Sequence, residues 1–184
     1  MAKLRYAFAA LLAAASVPAV GSVIVVGNSN ARMCYEAADS PTTPTLRDLR
    51  DCDAALGEEA LSQHDRVATY VNRGILRLRR GHADTAIADF DAAMALNPRQ
   101  PEAYLNKGAA LIRLENPSEA LQLFTAALEY NTERPEIAHF GRAIANEELG
   151  NIRAAYQDYR RASELDPEWQ DPRTELARFR VVND

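Results

Sequence analysis

The chain has 184 residues, with 21 Lys and Arg against 26 Asp and Glu for a net charge of −5, 47% hydrophobic residues and two Cys. That is the length of one folded domain, and a composition of 26% charged residues with 8 Gly and 9 Pro excludes wholesale disorder, a collagen-like chain and a Pro/Gly-rich linker. The acidic balance argues against a general binder of phosphate backbones, which needs a surplus of Lys and Arg, so no nucleic-acid partner is expected.

Lys3 and Arg5 precede an uncharged run over residues 6–30 that is apolar and dense in Ala and Leu over 7–17. This is a secretory signal pattern. Pro18 breaks the helix, and the small residues Ala19 and Gly21 occupy the −3 and −1 positions of a cut after Gly21; Val17 and Ala19 offer another after Ala19. Residues 1–21 are therefore expected to be a signal peptide and the destination to be the periplasm. The alternative is an uncleaved anchor facing the periplasm, since residues 4–27 reach the roughly 20 residues that a bilayer core needs; only then is a membrane a partner. Residues 22–30 read as a short extended segment, because Val23, Ile24, Val25 and Val26 are β-branched.

Residues 31–65 read as a helical hairpin carrying both cysteines. Residues 32–39 and 45–56 are helical in pattern, split by a Ser-Pro-Thr-Thr-Pro turn over 40–44 in which Thr43 or Thr45 can cap. Antiparallel helices bring Cys34 and Cys52 roughly level, and in an oxidising compartment such a pair closes into a disulfide. The loop of about 19 residues is worth around 3 kcal/mol in the chain-entropy model. The competing reading is two buried small hydrophobes. No metal or other cofactor is expected, because this Cys pair and the scattered His64, His82 and His139 lack the paired spacing that zinc requires.

From residue 66 to 170 the chain repeats itself. Residues 67–100 align without a gap on 101–134, placing Tyr70 over Tyr104, Asn72 over Asn106, Gly74 over Gly108, Ala86 over Ala120, Phe90 over Phe124 and Ala93 over Ala127. A third copy, 136–169, begins one residue late, with Ala143, Gly150, Ala155, Tyr159, Ala162 and Pro167 in register; the slip falls around 132–135. Self-similarity near 34 residues means stacked helical hairpins. In the first copy Val67, Tyr70, Val71, Gly74, Ile75 and Leu78 follow helical spacing before a turn at 81–83 leads into a second helix.

This pattern resembles the tetratricopeptide repeat family over about residues 67–169. Small residues at Gly74, Gly108 and Ala143 on each first helix face Ala86, Ala120 and Ala155 on each second helix, where bulk would overpack, and Phe90, Phe124 and Tyr159 wedge between hairpins. Departures are Arg73, Lys107 and Arg142 where an aliphatic is usual, Glu115 in the second copy's turn, and Thr132 in place of Pro. The resemblance implies an all-α helical-hairpin solenoid of three repeats, with the Cys hairpin as a degenerate N-terminal unit and residues 171–184 as a capping helix and tail. The layout also resembles a group of exported bacterial tetratricopeptide proteins with a two-Cys N-terminal hairpin.

Nothing resembles a nucleophile with its base, a phosphate-cradling Gly loop or a positioned carboxylate pair, so an enzyme is not expected. The resemblance implies a protein-binding scaffold whose concave groove takes an unidentified protein or peptide. Its groove positions carry over to Val71, Asn72, Ile75 and Arg79; Leu105, Asn106, Ala109, Ile112 and Arg113; and Phe140 and Ile144. Asn72 and Asn106 either pair with a ligand backbone, each amide offering a donor and an acceptor, or bond only neighbouring helices. Some grooves of the family clamp chaperone C-termini, but the cognate positions here hold Val71, Ile75, Ile137 and Gly141, so that ligand is not expected. Arg66, Arg73, Arg77 and Arg80 share one face, which is either a solvated stripe offset by Asp84, Asp89 and Asp91 or a dock for an acidic partner or membrane surface.

Overall fold

Capping chemistry sets where the helices begin. In the computed structural model, which describes residues 3–6, 18, 21–25 and 30–182 (backbone only for 3–6 and 180–182), Thr45 and Asp48 form a reciprocal capping box at the start of α2 (Leu46–Glu58). Ser62 accepts from the Asp65 amide to start α3 (Gln63–Arg79), four residues before the repeat pattern becomes visible. Pro opens α5 (Pro101–Arg113), α6 (Pro117–Glu129) and α7 (Pro135–Glu148), where its missing N–H leaves no bond unmade. The remaining helices are α1 (Asn30–Asp39), α4 (Ala83–Leu96), α8 (Ile152–Leu165) and α9 (Gln170–Leu176). None among the described residues is long and apolar enough to cross a membrane. The apolar run at 7–17, on which the signal-or-anchor expectation falls, lies outside the described residues.

The hairpins α1/α2, α3/α4, α5/α6 and α7/α8 stack in chain order, and successive first helices touch one another (α3 with α5, α5 with α7) as on the inside of a curve. Close packing depends on the small residues, though the bulk they admit is aromatic. A Cβ on Gly74 would lie 2.4 Å from the Phe90 ring, one on Gly108 2.9 Å from the Phe124 ring, and one on Gly141 2.3 Å from the same Phe124 ring. Phe124 therefore sits between two hairpins, wedged as its repeat position implies. Ala86, Ala120 and Ala155 are fully buried beside these contacts.

The all-α solenoid is confirmed, with two local differences. The third copy is displaced because α6 ends through Asn131 in the left-handed region (φ 61), whereas α4 and α8 end through extended Asn97 and Asp166, each followed by Pro. With Thr132 in place of that Pro, its side chain turns inward and donates to Glu102 Oε1. At the C-terminus the capping helix stops at Leu176 instead of running through Phe179. Phe179 is buried 5.7 Å from the Tyr156 ring and 5.9 Å from the Tyr159 ring, and a four-residue strand β2 (Phe179–Val182) pairs antiparallel with β1 (Lys3–Tyr6), Tyr6 opposite Phe179.

Cys34 and Cys52 are joined, with Cα atoms 4.9 Å apart and both side chains buried. The bond staples α1 to α2 just where Cys52 takes the place that Phe90 holds in the first repeat. The sequence Cys52-Asp53-Ala54-Ala55 parallels Phe90-Asp91-Ala92-Ala93, and the aspartates behave alike. Asp53 reaches Arg73 of the following hairpin at 2.7 Å, as Asp91 reaches Lys107 at 2.8 Å, so the Cys hairpin docks on the repeats as the repeats dock on each other.

Candidate functional site

The inner face is built by α3, α5 and α7, whose first-helix positions project Val71, Asn72, Ile75, Leu105, Asn106, Ala109, Ile112, Phe140 and Ile144. All nine are buried, at most 6% exposed. Apolar walls with two amides set among them are suited to apolar burial and to hydrogen bonds with a backbone. Glu102, also buried on α5, accepts from the Thr132 hydroxyl and the Glu133 amide at Oε1 and from Gln100 at Oε2. Among the described residues no three His, Cys, Asp or Glu side chains converge as metal ligands.

Asn72 Oδ1 accepts from the Val23 amide at 2.9 Å while its Nδ2 donates to the Val23 carbonyl at 2.8 Å. One carboxamide thus satisfies both polar groups of a single peptide unit's residue, 49 positions away in sequence. Asn106 Nδ2 donates to the Glu102 carbonyl of its own helix at 2.9 Å. Phe140 packs between the rings of Tyr159 (5.5 Å) and Trp169 (4.7 Å), which joins the third copy's inner face to the C-terminal cap.

The chain's own residues 21–25 therefore lie across this face. Gly21, with φ 78, stands against Glu102, Leu105 and Arg134 in the second copy. Ser22 donates to Asp39 Oδ1 at 2.8 Å. Val23 is clamped by Asn72, Ile24 points outward at 61% exposure, and Val25 is buried with Ala31, Ala55 and Ala68. Further back, Pro18 lines a hollow of about 400 Å³ with Arg134, Ile137, Asp166, Glu168 and Trp169 at the third-copy end. The alternation of Val23, Ile24 and Val25 between groove and solvent is the period-two habit of an extended chain.

Two of the carried-over positions serve other purposes. Arg79 Nη1 donates to the Ala38 and Ser40 carbonyls and its Nη2 to that of Thr42, so it ties α3 to the α1–α2 turn. Arg113 Nη1 donates to the Leu78 carbonyl at the end of α3, and burial lowers its pKa.

The basic face of α3 is likewise engaged within the molecule. Arg73 and Arg77 both bond the buried Asp89, at 2.6 and 2.7 Å. Arg66 caps the Leu56 carbonyl and Arg80 that of Pro44. The third copy repeats the arrangement with Arg142 on Asp158 at 2.7 Å, joined by His139 at 2.9 Å. Burial raises the Asp158 carboxyl's pKa, but the hydrogen bonds from His139 and Arg142 outweigh it and hold the group below the usual Asp value. The sequence carried a signal for this: copies one and three combine Arg with Asp at these two positions, whereas copy two combines Lys107 with Leu123, and there the cation turns to Asp91 instead.

These stacked hairpins match a known family. The profile described as "Tetratricopeptide repeat" matches residues 71–129 and 108–168, together more than half of the sequence. The chain belongs to the tetratricopeptide repeat family. Among solved tetratricopeptide structures it is similar to the first such domain of Spaghetti (RPAP3) bound to the HSP90 peptide SRMEEVD, at 25% identity and TM-score 0.57 over 61% of this chain and 90% of that one. It is also similar to the tetratricopeptide domain of Arabidopsis OM64, at 22% identity and TM-score 0.60 over 64% and 96% of the two chains. A MamA RS-1 double mutant superposes with TM-score 0.63 at 20% identity over 83% of each chain. Among curated proteins none matches the sequence.

Proposed function

We propose that this tetratricopeptide protein is a non-catalytic scaffold that holds a peptide or an extended segment of a partner protein in its inner groove, and that it works in the periplasm after export. The observation that carries the reading is the paired hydrogen bond from Asn72 to the Val23 backbone. It is a grip on main chain, set in an apolar trough, and main-chain bonds supply affinity without demanding one side-chain sequence. The peptide held by the Spaghetti domain supports a peptide ligand for this groove too. Its acidic tail is not the expected chemistry, because Val71, Ile75, Ile137 and Gly141 replace the clamp positions.

The test is capture from a periplasmic extract with the exported chain as bait. A specific partner that is lost on Leu105→Asp and weakened by Asn106→Ala is expected; retention undiminished by both changes rejects groove recognition. The second reading, a membrane-anchored assembly or envelope-structural factor, rests on the apolar length of residues 4–27. Intact mass of the exported protein separates the two, since loss of the first 19 or 21 residues excludes an anchor.

A further inference from the structure

The segment that lies in the groove is itself a template for the ligand. We propose that the groove accepts an uncharged, extended strand of a partner protein with Gly followed at alternate positions by two β-branched residues, and that residues 21–25 of this chain hold that place until such a strand displaces them. The inference rests on the groove reading above and adds the ligand's chemistry and its built-in competitor.

Each feature of the template is imposed by the walls. At the Gly21 position a Cβ would meet Glu102 Cγ at 3.1 Å, and φ of 78 is a conformation that L side chains rarely adopt, so only Gly fits without strain. Two residues on, Asn72 takes the N–H and C=O of Val23 together, which requires an extended residue with a free amide and excludes Pro. Two further on, Val25 enters an apolar site of Ala31, Ala55 and Ala68, all with no exposed surface, against which Tyr35 and Leu61 also pack. That space admits a short branched side chain and would leave a charge unpaired. The intervening Ile24 faces solvent, so that position is free to vary.

The segment is attached by only a few residues to α1, which begins at Asn30. A short tether gives an effective concentration on the order of millimolar, so a free peptide of the same sequence competes at a disadvantage. A cut after Ala19 keeps Gly21 to Val25 attached to α1, whereas a cut after Gly21 removes the Gly and leaves Ser22 to Val25, including the residue that Asn72 holds, as the competitor.

The experiment uses a fluorescent peptide with the sequence of residues 18–25 and the full chain, read by anisotropy. The unaltered chain is expected to bind weakly. A chain carrying Val23→Asp with Val25→Asp, and independently one carrying Val23→Pro, is expected to bind the peptide at least ~10-fold more tightly, the reciprocal of the unoccupied fraction. Adding Asn72→Ala should remove that gain. Helical circular dichroism identifies any variant that has lost its fold, and Val23→Pro, a change in non-helical backbone, keeps the comparison if the double Asp chain fails. Equal affinity in unaltered and substituted chains would overturn the built-in competitor while leaving the groove reading intact. Folded, emptied chains that ignore this peptide yet capture a partner through Leu105 would overturn the ligand chemistry alone.

Discussion

Glu115 occupies the left-handed region (φ 56) at the point in its turn where the neighbouring copies have Gly81 (φ 84) and Gly150 (φ 77). Loop geometry is thus kept across all three copies, at the cost of a conformation disfavoured by roughly 1–2 kcal/mol for a residue with a Cβ. Glu115→Gly should raise stability by about 0.5–1 kcal/mol, the gain reduced by the added freedom of the unfolded chain, and Gly150→Ala should lower it by about 1 kcal/mol; thermal or urea unfolding reads both. The helical glycines divide differently. A Cβ on Gly74 meets three atoms of the buried Phe90 ring within 2.9 Å, whereas one on Gly57 meets nothing within 4 Å. Gly57→Ala should therefore gain up to about 1 kcal/mol of helix propensity. In Gly74→Ala an overpacking cost of about 1–3 kcal/mol outweighs that same gain, and the melting temperature should fall.

At the scale of the element, the second helix of each repeat is positioned by one buried carboxylate where the sequence provides it. Asp158 draws Arg142 and His139 of α7 onto α8, and its pKa is depressed in the folded chain. A depressed carboxylate contributes stability that is complete above its unfolded value, near 3.8, and disappears as pH falls through the folded value below that. Unfolding followed from pH 5 to pH 2 should show this loss in the unaltered chain, and Asp158→Asn should make the acid side of the profile shallower. Equal acid slopes would refute the assignment. These ion pairs were half legible in the sequence: Arg73, Lys107 and Arg142 stand out as departures from an aliphatic position, but their partners lie on the second helix, and only comparison between copies links Arg with Asp. The helices were easier to find because glycines, alanines and aromatics recur in packing positions that leave no alternative side chain. The chain ends were harder. Phe179 follows the helical spacing of Leu176, and only the aromatic pocket formed by Tyr156 and Tyr159 draws it out of the helix.

Across the whole molecule, a curved stack of hairpins keeps its apolar inner face buried, and part of the cover comes from the chain itself. The residues lining that face were legible as repeat positions, and Asn72 stood out as a repeated amide able to address a backbone. That the backbone belongs to Val23 was not legible, because no propensity or period links two residues 49 positions apart; only the tertiary course of the chain brings them together. Arg79 and Arg113 show the converse. They fall at groove positions by register, yet their long side chains reach carbonyls at helix ends and turns instead. The most direct measurement is amide hydrogen exchange of residues 21–25 in the full chain, with and without Asn72→Ala. Protection at Val23 that is lost in the variant, while α3 to α8 exchange as before, is expected of a groove that grips main chain; a Val23 amide exchanging at the rate of an unstructured peptide in the unaltered protein would contradict it.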